Sequence, residues 1–375
     1  MAVASYIVAG LGALVVVLTG LSFVRSRAWW VRVFDFPRPQ IALLSAALLG
    51  ALVWTTGGFA GAELWERILL ALLAAAVVAQ LAKILPYTPL WRNQVRPQRQ
   101  DVPDGQRLRI LIANVRMRNR AFQRLLDLIR KEKPALIITV EVDDAWCDAL
   151  RVLEGDYPHR ICVPQDNTYG IAVYSRHPLE DTEVRHLVEP EVPSVFSWLE
   201  LPCGQRVRFV VVHPRPPRPD IQQDSSLRDA ELVRAGDIVR GWHGPVFVAG
   251  DLNDVAWSHT THLFQRLACL LDPRVGRGVF ATFPVASRFI RFPLDHVFHS
   301  NDFNLVEIRR LPDIGSDHYP MLLELALCEK SEEKPEEPRP DHDDVEQARD
   351  AVDDARKQRA SETPRERRER QAADR

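Results

Sequence analysis

The sequence predicts an α/β domain of mixed sheet architecture behind a membrane module, and three observations carry that prediction. Short apolar runs of strand length alternate with amphipathic helical stretches between residues 108 and 328. Three longer, nearly uncharged runs precede them. Within the domain, one apolar run after another stops at residues able to do chemistry.

The membrane module occupies residues 1–90. Its apolar runs are residues 4–24, 41–61 and 68–85, the last interrupted by Gln80 and Lys83. Each matches the roughly 20 residues a spanning helix needs, so three transmembrane helices are expected. No Lys or Arg precedes the first run and no small-residue cleavage site follows it before Arg25, which argues against a cleaved signal peptide. Arg25, Arg27, Arg32 and Arg38 fill the first linker, Glu63, Glu66 and a single Arg67 the second, and Arg92, Arg96 and Arg99 follow the third run. The positive-inside rule then places the N-terminus outside and everything after residue 90 in the cytoplasm, as a multi-pass protein of the cell's inner membrane.

Residues 91–107 read as a polar juxtamembrane linker broken by Pro97 and Pro103. The domain follows at 108–328; its strand-like runs include residues 108–113, 135–140, 170–174, 207–212 and 246–249, and its helical stretches 121–132 and 226–242. The region from 162 to 212 shows no helix and is expected to be antiparallel, which makes the sheets mixed. Residues 329–375 are charge, Pro, Gln and Ala, too poor in apolar residues to offset ordering entropy, and are expected to be disordered with a transient helix near 345–359. Five cysteines stand singly, with no CxxC and an odd count, which speaks against a disulfide framework or zinc site and for a reducing compartment. The net charge of −2 excludes nothing, because its parts are so unevenly spread.

Gly250-Asp251-Leu252-Asn253 ends an apolar run rich in β-branched and aromatic residues. Asp251 and Asn253 are two apart, so in extended backbone both point one way. Residues 110–113 end in Asn114, 136–140 in Glu141 and 209–212 in His213; Asp295-His296 follows Leu294, and Ser316-Asp317-His318 follows Gly315. Strand ends of a sheet enzyme gather on one edge. Oxygen ligands, amides and histidines without cysteine suit a hard cation such as magnesium, which takes one or two carboxylates and keeps several waters.

These motifs resemble, in order, those of the endonuclease/exonuclease/phosphatase superfamily of metal-dependent phosphoesterases: Ala113-Asn114-Val115, Glu141, residues 169–175, His213, Gly250-Asp251-Leu252-Asn253, Leu294-Asp295-His296-Val297 and Gly315-Ser316-Asp317-His318. The preceding spans are similar to those of bacterial membrane-anchored members. The resemblance implies a four-layer α/β sandwich, two mixed sheets flanked by helices. It further implies that Glu141 and Asn114 hold Mg²⁺ or Mn²⁺, that Asp251 orients or deprotonates the attacking water, and that Asn253 and His213 bind the phosphate. His318 would hydrogen-bond the phosphoryl oxygens with its tautomer fixed by Asp295, and Asp317 would contact a second metal or the water network. Arg116 stands where some nuclease members carry an acidic residue, which leaves Glu141 the principal carboxylate ligand. The implied activity is hydrolysis of a phosphate mono- or diester in nucleic acid, phospholipid or a related substrate. The competing reading is a membrane-anchored binding or scaffold protein that keeps the fold without the chemistry, and the presence of Glu141, Asp251 and His318 speaks against it.

Overall fold

A computed structural model describes residues 2–216, 224–328 and 334–363. The chain divides into two compact units, Met1–Arg92 and Asn93–Arg375.

The first unit packs α1 (Ala2–Leu21), the single-turn α2 (Trp29–Arg32), α3 (Arg38–Thr56) and α4 (Leu64–Ile84). Among the described residues two segments, Arg38–Thr56 and Leu64–Tyr87, are long and apolar enough to cross a membrane, and the described apolar segment of α1, Ser5–Leu21, is shorter, so two of the three expected spans are met on length and composition. The helices meet around polar residues that hydropathy hides. Arg38 donates to Gln80 Oε1 at 3.0 Å and to Asp35 Oδ1 at 2.6 Å, and Gln80 Nε2 donates to Ser22 Oγ at 3.1 Å. Two arginines counted for orientation, Arg32 and Arg38, are therefore buried beside Asp35.

In the second unit β1 (Arg107–Asn114), α5 (Phe122–Glu132), β2 (Leu136–Val140), α6 (Asp144–Leu150), β3 (His159–Val163) and β4 (Ile171–Ser175) come first. Then follow β5 (Leu179–Arg185), β6 (Ser194–Glu200), β7 (Arg206–Val211), α7 (Ser226–Arg240), β8 (Val246–Asp251) and α8 (His259–Ala268). The unit closes with β9 (Asp295–His299), β10 (Phe303–Arg310), β11 (Met321–Leu327) and α9 (His342–Ser361). Six strands form one sheet in the order β10-β11-β1-β2-β4-β3, and five form the other in the order β5-β6-β7-β8-β9. Both are mixed: β1 with β2 and β7 with β8 are parallel, and every other pair is antiparallel.

Period-two alternation sorts each central strand between two cores. Ile110 and Ile112 join Phe209, Val211, Phe247 and Ala249 in the core between the sheets, while Leu111 and Ala113 join Leu125, Ile129 and Trp146 under the first sheet's outer helices. Val210, Val248 and Phe298 turn outward onto Leu232, Ala235 and Phe264 of α7 and α8. Four layers result, helix–sheet–sheet–helix. Burying each such side chain contributes on the order of 1.5–3 kcal/mol, so a one-residue slip that exchanges the faces is strongly disfavoured.

This topology brings the chemistry to one edge. The C-terminal ends of β1, β2, β7 and β8 lie there. So does the start of β9, which runs antiparallel to β8 with Asp251 opposite Asp295, and the approach to β11, which is antiparallel to β1 with Ile112 opposite Met321. Two glycines admit the close contacts this needs. A Cβ on Gly170 would lie 1.8 Å from the Val142 carbonyl beside Glu141, and one on Gly250, at φ 147°, 1.9 Å from the Val212 carbonyl beside His213.

Three expectations are corrected here. Part of the supposed linker packs as an edge: Val95 is buried, and residues 96–98 exchange main-chain bonds with Leu305 in β10. The tail contains an ordered helix. In α9, Asp341 and Asp344 form a capping box, Arg266 of α8 forks onto Asp344 at 2.7 Å twice, and Ala348, Ala351 and Ala355 pack on α7 and α8. A stripe of alanines scores low in hydropathy yet lets helices approach closely, so the composition concealed it. The segment 329–333 and the arginine-rich residues 364–375 lie outside the described residues. Finally, Cys147 and Cys162 form a disulfide, which removes the support that unpaired cysteines lent to a reducing compartment. Among the described residues Cys203, Cys269 and Cys328 form no disulfide.

Buried Glu231 on α7 makes a prediction about stability. It accepts a hydrogen bond from Ser194 Oγ at 2.9 Å, and burial, with Glu189 adding to it, pushes its carboxyl up to about 8. A folded value above the unfolded one means that stability is fully present below about pH 4.5 and is lost as pH rises through 8. Thermal unfolding should show Glu231→Gln, which keeps the acceptor and removes the charge, melting above the parent at pH 9 and no higher at pH 5. Equal pH slopes for the two proteins would contradict this.

Candidate active site

Asp251 is the hub. Its Oδ1 accepts from the Asn253 amide at 2.9 Å; its Oδ2 accepts from Asn114 Nδ2 at 3.0 Å and lies 3.5 Å from His318 Nε2 and 4.0 Å from His213 Nε2. Asn114 Nδ2 also donates to Glu141 Oε1 at 2.8 Å, while its Oδ1 accepts from the Arg116 amide at 2.9 Å. The asparagine thus ties the ends of β1, β2 and β8 together through its amino group. His318 Nδ1 meets Asp295 Oδ2 at 2.8 Å, its ring packs on Phe283 at 4.9 Å, and Ser316 Oγ anchors the loop by donating to the Asn114 carbonyl at 2.7 Å. Asn114, His213, Asp251, Asp295, Ser316 and His318 are buried, Glu141 and Asn253 are partly buried, and Asp317 sits half-exposed beside Arg116, 3.7 Å from its Nε.

The backbone is strained where the chemistry gathers. Arg116, Glu141 and Asn253 all have left-handed φ, at 56°, 61° and 51°. Such conformations in residues other than glycine cost of order 1–3 kcal/mol and persist only where surrounding contacts hold them.

Electrostatics follows from burying several acids together. Burial raises the Glu141 carboxyl to about 7, with the Asp317 and Asp251 charges adding and the Asn114 hydrogen bond opposing. For His318 burial works downward, but the Asp295 and Asp251 carboxylates overcome it and push the imidazolium up to about 10. Burial also raises Asp251, so the two compete for one proton. We place that proton on His318, which two carboxylates grip. His213 is the opposite case: burial brings it down to about 4, so it is neutral, and its buried Nδ1 has no hydrogen-bond partner among the described residues.

Asp251, Asp295 and His318 present ligand atoms within 4.8 Å of one another, a cluster able to bind a metal. The donor set fits a divalent cation: four carboxylates face one imidazolium, and Asp295 Oδ1 is buried without a hydrogen-bond partner. A cation on His318 would have to displace a strongly held proton. On the other side of Asp251 the Glu141 carboxyl, raised to about 7, holds its proton less firmly.

The model of the Endonuclease/Exonuclease/phosphatase family matches residues 111–318, more than half of the chain. The chain belongs to that family. Its solved relatives include a humanized TDP2 from D. rerio, with TM-score 0.51 and 15% identity over 59% of this chain and 99% of that one. The human Nocturnin catalytic domain gives 0.49 and 17% over 62% and 100%, and an endonuclease/exonuclease/phosphatase from Beutenbergia cavernae 0.46 and 20% over 59% and 72%. Comparison with curated proteins gave no match. At 15% identity the likeness to the TDP2 structure shows the fold alone, and the family is one whose enzymes generally hydrolyse phosphoesters.

The structure brings all eight residues picked from the sequence of this family member to one edge: Asn114, Glu141, His213, Asp251, Asn253, Asp295, Asp317 and His318. It separates His296 from them. That ring turns into the core, where Nδ1 accepts from Arg274 at 2.6 Å and Nε2 donates to the Asp254 carbonyl at 2.9 Å. Of the arginines near this edge, Arg215 is buried, forked onto Glu189 at 3.1 Å and packed over Tyr169, and Arg120 pairs with Asp143 at 2.5 Å. Arg116 remains exposed at the rim, and Arg218 lies outside the described residues. Sequence reading missed Arg228, Asp254, Asp272 and Arg274, which support the site from behind. Charged residues inside helices and loops look like solvated surface until the packing is known.

Proposed function

We propose that this chain is a divalent-metal-dependent phosphoesterase that hydrolyses a phosphate mono- or diester. The observation that carries the reading is the unbroken link Glu141–Asn114–Asp251 with His318 beside it and Asp295 behind. A bound Mg²⁺ or Mn²⁺, held by Glu141 with Asn114 adjacent, would neutralise non-bridging oxygens and polarise the phosphorus. The protein's own groups do the rest. Asp251 Oδ2 accepts a proton from water and aims it at phosphorus. His318, kept protonated by Asp295, presents Nε2–H to the phosphoryl oxygens as charge develops on them. Asn253 spends one amide hydrogen on the Pro214 carbonyl at 2.9 Å and keeps the second for phosphate, beside neutral His213. Asp317 and Arg116 border the entrance.

One feature favours a nucleic-acid ester over a lipid one. The sequence shows mixed charge, but the fold gathers a basic, aromatic lip next to His318: Tyr319 lies between Arg291 and Arg310, at 5.0 and 4.4 Å, and Phe289 is 93% exposed on the neighbouring loop. Stacking faces beside guanidinium groups suit the bases and phosphates of a single strand. The test is hydrolysis by the detergent-solubilised full chain with Mg²⁺ against oligonucleotides, phospholipids, inositol phosphates and bis(p-nitrophenyl) phosphate. Turnover of none of them overturns the proposal, and turnover of phospholipid alone overturns the nucleic-acid preference.

The same proposal anchors the enzyme in the cell membrane through α3 and α4. The arginines after α4 favour a cytoplasmic site, and the disulfide favours an oxidising compartment. A reporter fused after Leu327 decides: activity restricted to a cytoplasm-dependent reporter follows if the arginines govern, and activity of an export-dependent one if the disulfide reflects the domain's surroundings.

A further inference from the structure

The Asn253–Asp254 segment is gripped from behind by two buried arginines. Arg228 of α7, 1% exposed, donates from Nη1 to the Asn253 carbonyl at 2.9 Å, and its Nη2 lies 3.1 Å from Asp254 Oδ2 and 2.9 Å from Asp229 Oδ1. Ser258 Oγ completes the Asp254 carboxylate at 2.8 Å. The next carbonyl along, that of Asp254, accepts from His296, which Arg274 holds from the other side while forking onto Asp272 at 2.9 and 2.8 Å. Two successive carbonyls are thus fixed by charged networks on opposite flanks.

The residue so fixed is Asn253, whose φ of 51° an ordinary side chain adopts only when held. A buried guanidinium is costly to desolvate, and a methionine of similar length would fill the space more cheaply. Its geometry explains its presence: it reaches the carbonyl of Asn253 itself, in the peptide that joins Asn253 to Asp254. We infer that Arg228 is a positioning residue for phosphate binding, holding Asn253 in the left-handed conformation from which its amide meets the phosphate. The inference rests on the phosphoesterase reading above, and it extends the machinery to a helix whose sequence looks like ordinary amphipathic packing. It also gives α9 a place in the account, since that helix covers α7 along Ala348, Ala351 and Ala355.

The test compares Arg228→Lys, Asn253→Ala and the double variant, as full chains in detergent with Mg²⁺. Three quantities are read: kcat and KM on bis(p-nitrophenyl) phosphate, affinity for inorganic phosphate by calorimetry, and Tm. Arg228→Lys, which keeps the charge and shortens the reach, should weaken phosphate binding and raise KM about tenfold, the size of one hydrogen bond. The Mg²⁺ concentration for half-activation should not move. In the Asn253→Ala background the same change should add less than about twofold, because the route runs through Asn253. Equal effects of Arg228→Lys in both backgrounds, or a lowered Tm with unchanged phosphate affinity, would overturn the inference. If the parent binds phosphate without hydrolysing any ester, the functional reading fails while the positioning test still runs on affinity. Failure of the parent to bind phosphate sinks both.

Discussion

Glu141→Ala is expected to abolish hydrolysis, lowering turnover on the order of a thousandfold or more at any Mg²⁺ concentration tried. The reason is the geometry around Asn114. Its amino group faces Glu141 and Asp251, so the amide orients carboxylates, and without Glu141 the cation loses the carboxylate proposed as its principal ligand against water. The parent adds a second signature. Its Glu141 carboxyl holds a proton up to about pH 7, and a ligand must lose that proton, so the Mg²⁺ needed for half-activation should fall as pH rises through 7. Initial rates across a Mg²⁺ and pH grid, with circular dichroism on the variant, check both. Full activity of a folded Glu141→Ala protein in EDTA would remove the metal from the account.

His318→Ala and Asp251→Asn should each lower kcat by about 10²- to 10⁴-fold, as expected for a positioned charge-stabilising or base group. The two losses should not multiply, since the groups are 3.5 Å apart and compete for one proton. Asp295→Asn is the informative companion: it leaves the imidazole in place and deprives Nδ1 of its carboxylate. In that variant the activity limb set by His318, near pH 10 in the parent, should move downward, because the largest upward influence on the ring has gone. A pH–rate profile unchanged in Asp295→Asn, or near-parental kcat for His318→Ala, would reassign the acid.

Much of this site was legible in the sequence because strand ends announce themselves. An apolar run stopping at Asp251, Glu141 or His213 is a local signal, and a sheet's geometry turns several such signals into one place. The order of sheets was not legible, since the facing of β1 and β2 across β8 is a matter of long-range packing. Arg228 and Arg274 were invisible for the same reason: nothing in their neighbourhoods says that their charges lie inside. In α9 the error came from hydropathy itself, which counts alanine as nearly neutral although Ala348, Ala351 and Ala355 pack tightly on α7 and α8. Cys147 and Cys162 are 15 residues apart with no motif around them, and only the antiparallel return through β3 brings α6 within reach. In the first unit apolar length pointed to spans but left unnoticed that Arg38 reaches Asp35 and Gln80 inside the bundle.

The most direct measurement is isotope transfer. The full chain is incubated with bis(p-nitrophenyl) phosphate and Mg²⁺ in ¹⁸O-enriched water, and the products are weighed by mass spectrometry. If Asp251 directs water onto phosphorus, each turnover places one ¹⁸O in the nitrophenyl phosphate and none in the nitrophenol, and both EDTA and Asp251→Asn suppress the labelled product. Unlabelled phosphate ester, label in the nitrophenol, or labelling that persists without the cation would contradict the account.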